Sequence, residues 1–227
     1  MAKKRDLKKI VIGVPHTGIF NWQTVVSMLG IKSPEGYKCQ YHFIGSCLVY
    51  DAREKIVEYM QNVKADYVLF LDSDMVPPHD IIEKLVNHDK EIITGMAFKR
   101  TPPFQPCFYT KCSITKDFQP ILESPIEFPD KGLLEIEGTG MACTLIKKEV
   151  FDKIEKPWFF PAPNIGEDLT FCLKAKKQGI KMYVDLSVNV GHVGTYSIGV
   201  EHFKQMYENY KETGKTDNMF IGTGTDL

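Results

Sequence analysis

Between residues 9 and 98 four apolar runs alternate with three amphipathic stretches, and little else the chain can fold into keeps that order. The runs are 9–14 in "KKIVIGV", then "YKCQYHFIG", "ADYVLFLDSDM" and "EIITGMAF". Short apolar runs closed by Pro, Gly or Asp are the mark of buried strands, whereas apolar residues three and four apart mark a helix. Strand–helix alternation of this kind predicts an α/β domain with a mostly parallel central sheet, right-handed crossovers and helices on both faces. In such a sheet, ligands lie outside the carboxyl ends of the strands.

The amphipathic stretches define what each helix should bury. "NWQTVVSMLG" places Trp22, Val25, Val26 and Leu29 on one stripe, predicted to face inward, with Gly30 as the stop. In "DAREKIVEYMQNVK", Asp51 and Glu54 have capping-box spacing, and Ala52, Ile56, Met60 and Val63 form the inward stripe. Pro77 and Pro78 are predicted to open a third helix that buries Ile81, Ile82, Leu85 and Val86. From 101 to 130 the chain is rich in proline and aromatics without a helical period, and reads as an irregular insertion folded over a site. Strand, glycine corner, strand and helix follow in "GLLEIEGTGMACTLIKKEVFDKI". A helix in "GEDLTFCLKAKKQG" should bury Leu169, Cys172 and Leu173 and stop at Gly179. An extended run, "IKMYVDLSVNVGHVG", and a last amphipathic helix, "GVEHFKQMYENYKE", complete the chain. A single domain over 1–227 is expected, with one functional half over about 9–100, a second over about 101–195, and a helix and tail over 196–227.

Composition excludes several classes of partner. The formal net charge is -1 over 227 residues, so no global field draws the chain to nucleic acid or anionic lipid. The cluster Lys3, Lys4, Arg5, Lys8 and Lys9 is a local exception and reads as a solvated leader. No apolar run approaches the ~20 residues that span a bilayer, and an apolar signal-peptide core is missing. The six cysteines include no CxxC pair, which favours reduced thiols over a disulfide frame or zinc cage. A cytoplasmic protein is expected.

"YVLFLDSDM" poses the chemical question. Two aspartates, Asp72 and Asp74, end a strand fit for the centre of a protein. Like charges 4 Å apart repel by roughly 4 kcal/mol at an effective dielectric of ~20, so something positive belongs between them. Residues two apart in a strand share a face, so both could aim at one ion unless the chain has already turned. Paired carboxylates suit Mg2+ or Mn2+, which complete their shells with water and substrate phosphate. Helix capping ahead of Pro77 is the structural alternative. A second acid pair, Glu167 and Asp168, opens a helix after Gly166. The helix dipole there favours carboxylates for structural reasons alone, and a general base is the functional reading. His192, between glycines in "NVGHVG", is an acceptable further ligand for Mn2+.

The ordered set "FLDSDM", "EGTGMACTLIKKEVF", "GEDLTFCLKAKKQGIKMYVD" and "GH" resembles the glycosyltransferases of GT-A fold, and most of all small family-two-like enzymes of bacteria and phages. The resemblance runs from about residue 10 to 192 and implies a GT-A-like (nucleotide-diphospho-sugar transferase) fold. It implies that Asp72 and Asp74, joined by His192, hold Mn2+ or Mg2+ on the diphosphate of a nucleoside-diphosphate sugar. It points to Asp168 as the base of an inverting reaction, with Glu167 close to the acceptor. Pro15 and His16 in "VPHTG" match the loop that cups the base, and Ser73 lies between the metal-binding acids on the donor side. "DAREK" makes Asp51 and Arg53 candidates near the nucleoside and diphosphate, with helix capping and a solvated helix position as the alternatives. Lys99 and Arg100 are further phosphate candidates. Gly138, Thr139 and Gly140 match the corner lining the sugar and acceptor side, or else form a tight turn.

The resemblance thus implies transfer of a sugar, from a UDP-sugar by commonness, to a glycan, a protein or a modified nucleobase. The arginine cluster of processive members is missing after the "ED" helix, so processive polysaccharide synthesis is not expected. Two rivals stand. A phosphatase of the haloacid-dehalogenase type also places DxD after an apolar strand, usually the first of its core; here two strands come first. A nucleotide-sugar-binding module without catalysis would share the fold.

Overall fold

In the computed structural model, which describes residues 7–100, 104–117, 119–194 and 211, the elements follow the predicted alternation. They are β1 (Lys8–His16), α1 (Trp22–Gly30), β2 (Tyr37–Gly45), α2 (Val49–Asn62), β3 (Tyr67–Leu71), β4 (Met75–Val76), α3 (Ile81–Asn87) and β5 (Ile92–Ala97). The second half contributes β6 (Phe108–Tyr109), β7 (Lys111–Ile114), β8 (Pro120–Glu123), β9 (Leu133–Ile136), β10 (Gly138–Thr139), β11 (Cys143–Lys147), α4 (Lys148–Lys153), α5 (Glu167–Lys177) and β12 (Met182–His192). The chain divides into units Met1–His192 and Val193–Leu227, and all of these elements belong to the first. Residues 1–6 of the basic leader, and the helix expected at 199–212 apart from Lys211, lie outside the described residues.

The main sheet has the order β2-β1-β3-β11-β5-β12-β4, with β9 also pairing β12. β1 runs parallel to both β2 and β3, and β5 parallel to β12. β11 lies antiparallel between β3 and β5. Every residue of β3 is buried, as a strand covered on both faces requires. One face is covered by Ile56, Val57 and Met60 of α2, Val150 and Phe151 of α4, and Phe171 and Cys172 of α5. The other is covered by Met28 of α1 and by Ile81, Ile82 and Leu85 of α3. Gly13 lets α2 sit close on β1, since a Cβ there would collide with the Ile56 side chain. No helix among the described residues is long and apolar enough to cross a membrane.

Four expectations change. The stripe Trp22, Val25, Val26 and Leu29 faces outward, and Thr24, Ser27 and Met28 are the buried residues of α1. Hydrogen bonds decide this: Ser27 Oγ donates to the Pro77 carbonyl at 2.5 Å, and the Tyr41 hydroxyl donates to the Met28 carbonyl. Asp51 does not cap, because α2 starts earlier, with Leu48 at the N-cap. Pro77 and Pro78 precede α3 rather than open it; Asp80 is its N-cap. The insertion is partly ordered as sheet: β7 and β8 form a hairpin, β6 pairs with β10, and Phe108 is buried against Phe128, ring centroids 5.7 Å apart. Its backbone is drawn to β5, with Cys107 N–H donating to the Ala97 carbonyl at 2.8 Å.

Candidate active site

β3 ends where its apolar run ends, and the chain turns at once: Met75 N–H donates to the Asp72 carbonyl at 3.1 Å. Asp72 and Asp74 therefore point to different partners instead of sharing a strand face. β4 pairs antiparallel with the end of β12, in a register that sets Met75 opposite His192. That register brings Asp74 Oδ2 to 3.3 Å from His192 Nε2. The other ring nitrogen, Nδ1, lies 2.7 Å from the Phe98 carbonyl, which only accepts, so Nδ1 carries the hydrogen. Arg100 Nη1 donates to the same Asp74 oxygen at 2.8 Å. Burial pushes the Asp74 carboxyl up, but the His192 hydrogen bond and the charges of His192 and Arg100 outweigh it and hold the group below the usual carboxylate range.

Asp72 faces Arg53. This arginine, 4% exposed, sits on the inward side of α2 beside Ala52 and Ile56. Its Nη2 donates to Asp72 at 3.0 and 3.4 Å, and its Nη1 donates to Glu167. Its Nε is buried without a partner among the described residues. Two carboxylates engage the fork of Arg53, which the sequence resemblance places near the nucleoside and diphosphate. The signal for this lies in the spacing: a charged residue in register with Ile56, Val57 and Met60 on a buried face needs a buried counter-charge.

Glu167 and Asp168 form the first turn of α5, after Gly166 at its N-cap. The Thr139 N–H donates to Cys172 Sγ at 3.5 Å and packs the β10 corner on this helix. Gly140 leaves space beside Asp168: a methyl on its Cα would lie 3.6 Å from Asp168 Oδ2. Asp168 Oδ1 accepts from Leu169 N–H at 2.7 Å. Burial pushes the Asp168 carboxyl up; Arg53 opposes this and Glu167 adds to it, leaving the group above its ordinary value. Burial likewise pushes the nearby Cys107 thiol up to about 11.

A cavity of about 220 Å³ opens at the carboxyl ends of β1 and β3, lined by Pro15, His16, Ser73, Asp72 and Asp74. Thr17, Cys47, Val49 and Ala52 complete its wall; the sequence does not single them out for the donor, although Thr17 lies in "VPHTG" and Ala52 on the inward stripe of α2. Gly18 N–H donates to His16 Nδ1 at 3.0 Å and fixes the ring there. Asp51 and Arg53 do not line this cavity. Gly138, Thr139 and Gly140 lie by α5 instead.

Among the described residues no group of three or more His, Cys, Asp or Glu side chains gathers to hold a metal unaided. Asp74 with His192 still fits a divalent ion that completes its shell with phosphate oxygens and water. The hydrogen bond from His192 Nδ1 to a backbone carbonyl is the arrangement that orients a metal-ligating imidazole, leaving Nε2 toward Asp74.

This sheet, with an acid turn after its central strand and a carboxylate-led helix beside it, defines the GT-A class of glycosyltransferase fold. The chain belongs to the glycosyltransferase-like family 2, whose model matches residues 47–208. No curated protein sequence matches it. Among solved structures, A197 from STIV is similar with a TM-score of 0.60 at 20% identity, over 83% of this chain and 87% of that one. GalNAc-T7, solved with UDP, GalNAc and Mn2+, gives 0.54 at 11% identity, over 86% of this chain and 45% of that one. S. aureus TarS 1-349, solved with UDP-GlcNAc, gives 0.50 at 11% identity, over 93% and 68%. At such identities these likenesses show the fold.

Proposed function

We propose that the chain is a metal-dependent glycosyltransferase that moves a sugar from a nucleoside-diphosphate sugar, a uridine one on the precedent of its structural neighbours, to an acceptor hydroxyl with inversion. One observation carries the proposal. Arg53 ties Asp72, on the wall of the cavity that also holds Asp74, to Glu167 at the head of α5, so the helix turn that carries Asp168 is held to the donor side by one ion network.

In this reading Pro15, His16 and Ser73 contact the donor from the cavity wall, while Asp74 and His192, with Asp72 beside them, hold Mn2+ or Mg2+. The ion supplies Lewis-acid neutralisation of the diphosphate charge. Asp168 accepts the proton of the acceptor hydroxyl. That oxygen bonds to the anomeric carbon as the bond from this carbon to the diphosphate oxygen breaks, and the nucleoside diphosphate leaves. A raised carboxyl is the better proton acceptor, since a general base works best with its pKa near the operating pH. Glu167 is occupied by Arg53 and acts as a positioning residue for Asp168. The open side of Gly140 leaves room for the acceptor. Arg100, 57% exposed at the rim, can offer its guanidinium fork to phosphate while it contacts Asp74.

The test is calorimetric titration of the chain with UDP, UDP-GlcNAc and UDP-GalNAc, with and without Mn2+, followed by assay of sugar transfer or donor hydrolysis. Mn2+-dependent binding with slow release of UDP is expected. Binding without any turnover would leave a module without catalysis, and release of phosphate from an aryl phosphate would sink the transferase reading.

A further inference from the structure

Helix α1 is amphipathic in the wrong sense for a lone subunit. At about 100° per residue, Trp22, Val25, Val26 and Leu29 share one arc. That arc faces away from the sheet, with Trp22 64% and Leu29 82% exposed. The opposite arc buries two hydroxyls, of Thr24 and Ser27, and Thr24 Oγ1 has no partner among the described residues. Hydrocarbon on the outer arc makes a contiguous exposed apolar patch, the kind of surface that marks an interaction site.

The surface continues onto β2, which stands at the end of the sheet with β1 as its neighbour among the described residues. β2 is nine residues long and carries one lysine and no proline, so the usual devices that protect a strand edge are few. Phe43, 48% exposed, stacks on Tyr41 at 5.6 Å, and an apolar cavity of about 460 Å³ lies between these rings and Leu29.

We propose that this face docks a second copy of the chain across a two-fold axis, α1 against α1 and the outer edge of β2 toward its own symmetry mate. A strand edge paired antiparallel with its own copy is self-complementary, as a two-fold interface requires. Ile19, Trp22 and Leu29 are more than half exposed and Val25, Val26 and Phe43 are exposed beside them, an apolar surface of the same order as the roughly 800 Å² per partner that a stable specific interface buries. The nearby exposed charges Lys32, Glu35 and Lys38 are of mixed sign, which suits a protein partner better than an anionic lipid surface. The apolar cavity is bordered by His16, which also lines the donor cavity, but the dimer is read from mass and not from turnover, so its failure and that of the transferase reading are distinguishable.

Sedimentation velocity on the full chain over about 1–100 µM tests it, because a dimer shifts with protomer concentration. The wild type is expected at twice 25.9 kDa. Trp22→Glu and Leu29→Glu should each sediment as monomers with an unchanged far-ultraviolet spectrum. Ile126→Glu, at a residue 96% exposed in the insertion, should stay dimeric. A wild type that remains at 25.9 kDa throughout overturns the proposal, as do charged variants that keep the double mass. A monomer that instead binds phosphatidylglycerol vesicles overturns it in favour of a membrane. Should the glutamate variants fail to fold, hydrogen exchange of wild-type residues 37–45 decides: slower exchange at high concentration supports the dimer, and none sinks it.

Discussion

Arg53 Nη2 lies 3.0 Å from Asp72 Oδ1, joining the inward face of α2 to the end of β3. The pair answers the repulsion that the aspartate-rich turn creates, and through Glu167 it fixes the head of α5 to the same point. Removing the charge leaves two carboxylates facing each other in a largely buried place. Arg53→Met should lower unfolding free energy by about 3 kcal/mol, within the range for breaking a buried pair. Arg53→Lys, which keeps the charge and loses the fork, should retain part of that. Urea midpoints at constant slope measure both. A midpoint unmoved by Arg53→Met would show that the network does not hold the fold.

Asp168→Asn separates binding from catalysis. Turnover is expected to fall by about 10²–10⁴-fold, the range for losing a general base. Mn2+-dependent UDP binding should be unchanged. Since the base works ionised and burial holds Asp168 above its ordinary value, kcat should fall with acid at a pH above the usual ~3.9 of aspartate and level off at higher pH. Loss of UDP binding in the variant would remove Asp168 from the role of base.

Metal dependence is checked at the two side chains that the β4–β12 register brings together. Asp74→Ala and His192→Ala should each weaken Mn2+-dependent UDP binding by at least about tenfold, since disturbing even an outer-shell partner costs that much. Chelator should reproduce the loss in the wild type. UDP affinity indifferent to chelator and to both changes would rule out a metal held there.

Asp185, 3% exposed on β12, makes the acid stability of the fold measurable. It accepts from Ser187 N–H at 2.9 Å and Ser187 Oγ at 2.6 Å, and lies 2.8 Å from His88 Nε2. Burial pushes its carboxyl up, yet these partners outweigh that and hold it below the ordinary value. The unfolded chain therefore takes up the proton first. Stability from Asp185 is complete above about pH 4 and is lost as pH falls through the ordinary carboxylate value toward the lower folded one. Asp185→Asn should lose stability at neutral pH and show a flatter acid limb than the wild type in urea titrations at pH 7, 5, 4 and 3. Parallel limbs would mean that Asp185 contributes nothing to acid unfolding.

Much of this architecture is legible in the order of residues. The Val68–Leu71 run with Asp72 at its end announces a covered central strand. The spacing of Ile56 and Met60, and of Ile81 and Leu85, marks the inward faces of α2 and α3 correctly. The same rule fails for α1, whose stripe it finds but whose orientation it reverses. Periodicity states that a helix has an apolar side; it does not say that the sheet is what covers it.

Local pattern alone determined the strand–helix alternation of the first half, the covered central strand and the position of the acids at strand and helix ends, because each depends on residues within a turn or two, while the strands of the insertion were not legible in it. Tertiary structure decided the partners. Asp72 met Arg53 rather than sharing a partner with Asp74, Asp74 met His192 118 positions away, and Glu167 met an arginine 114 positions back. Charge pairing is set by distance in space, and only the folded sheet brings such distant side chains within a few ångströms of one another.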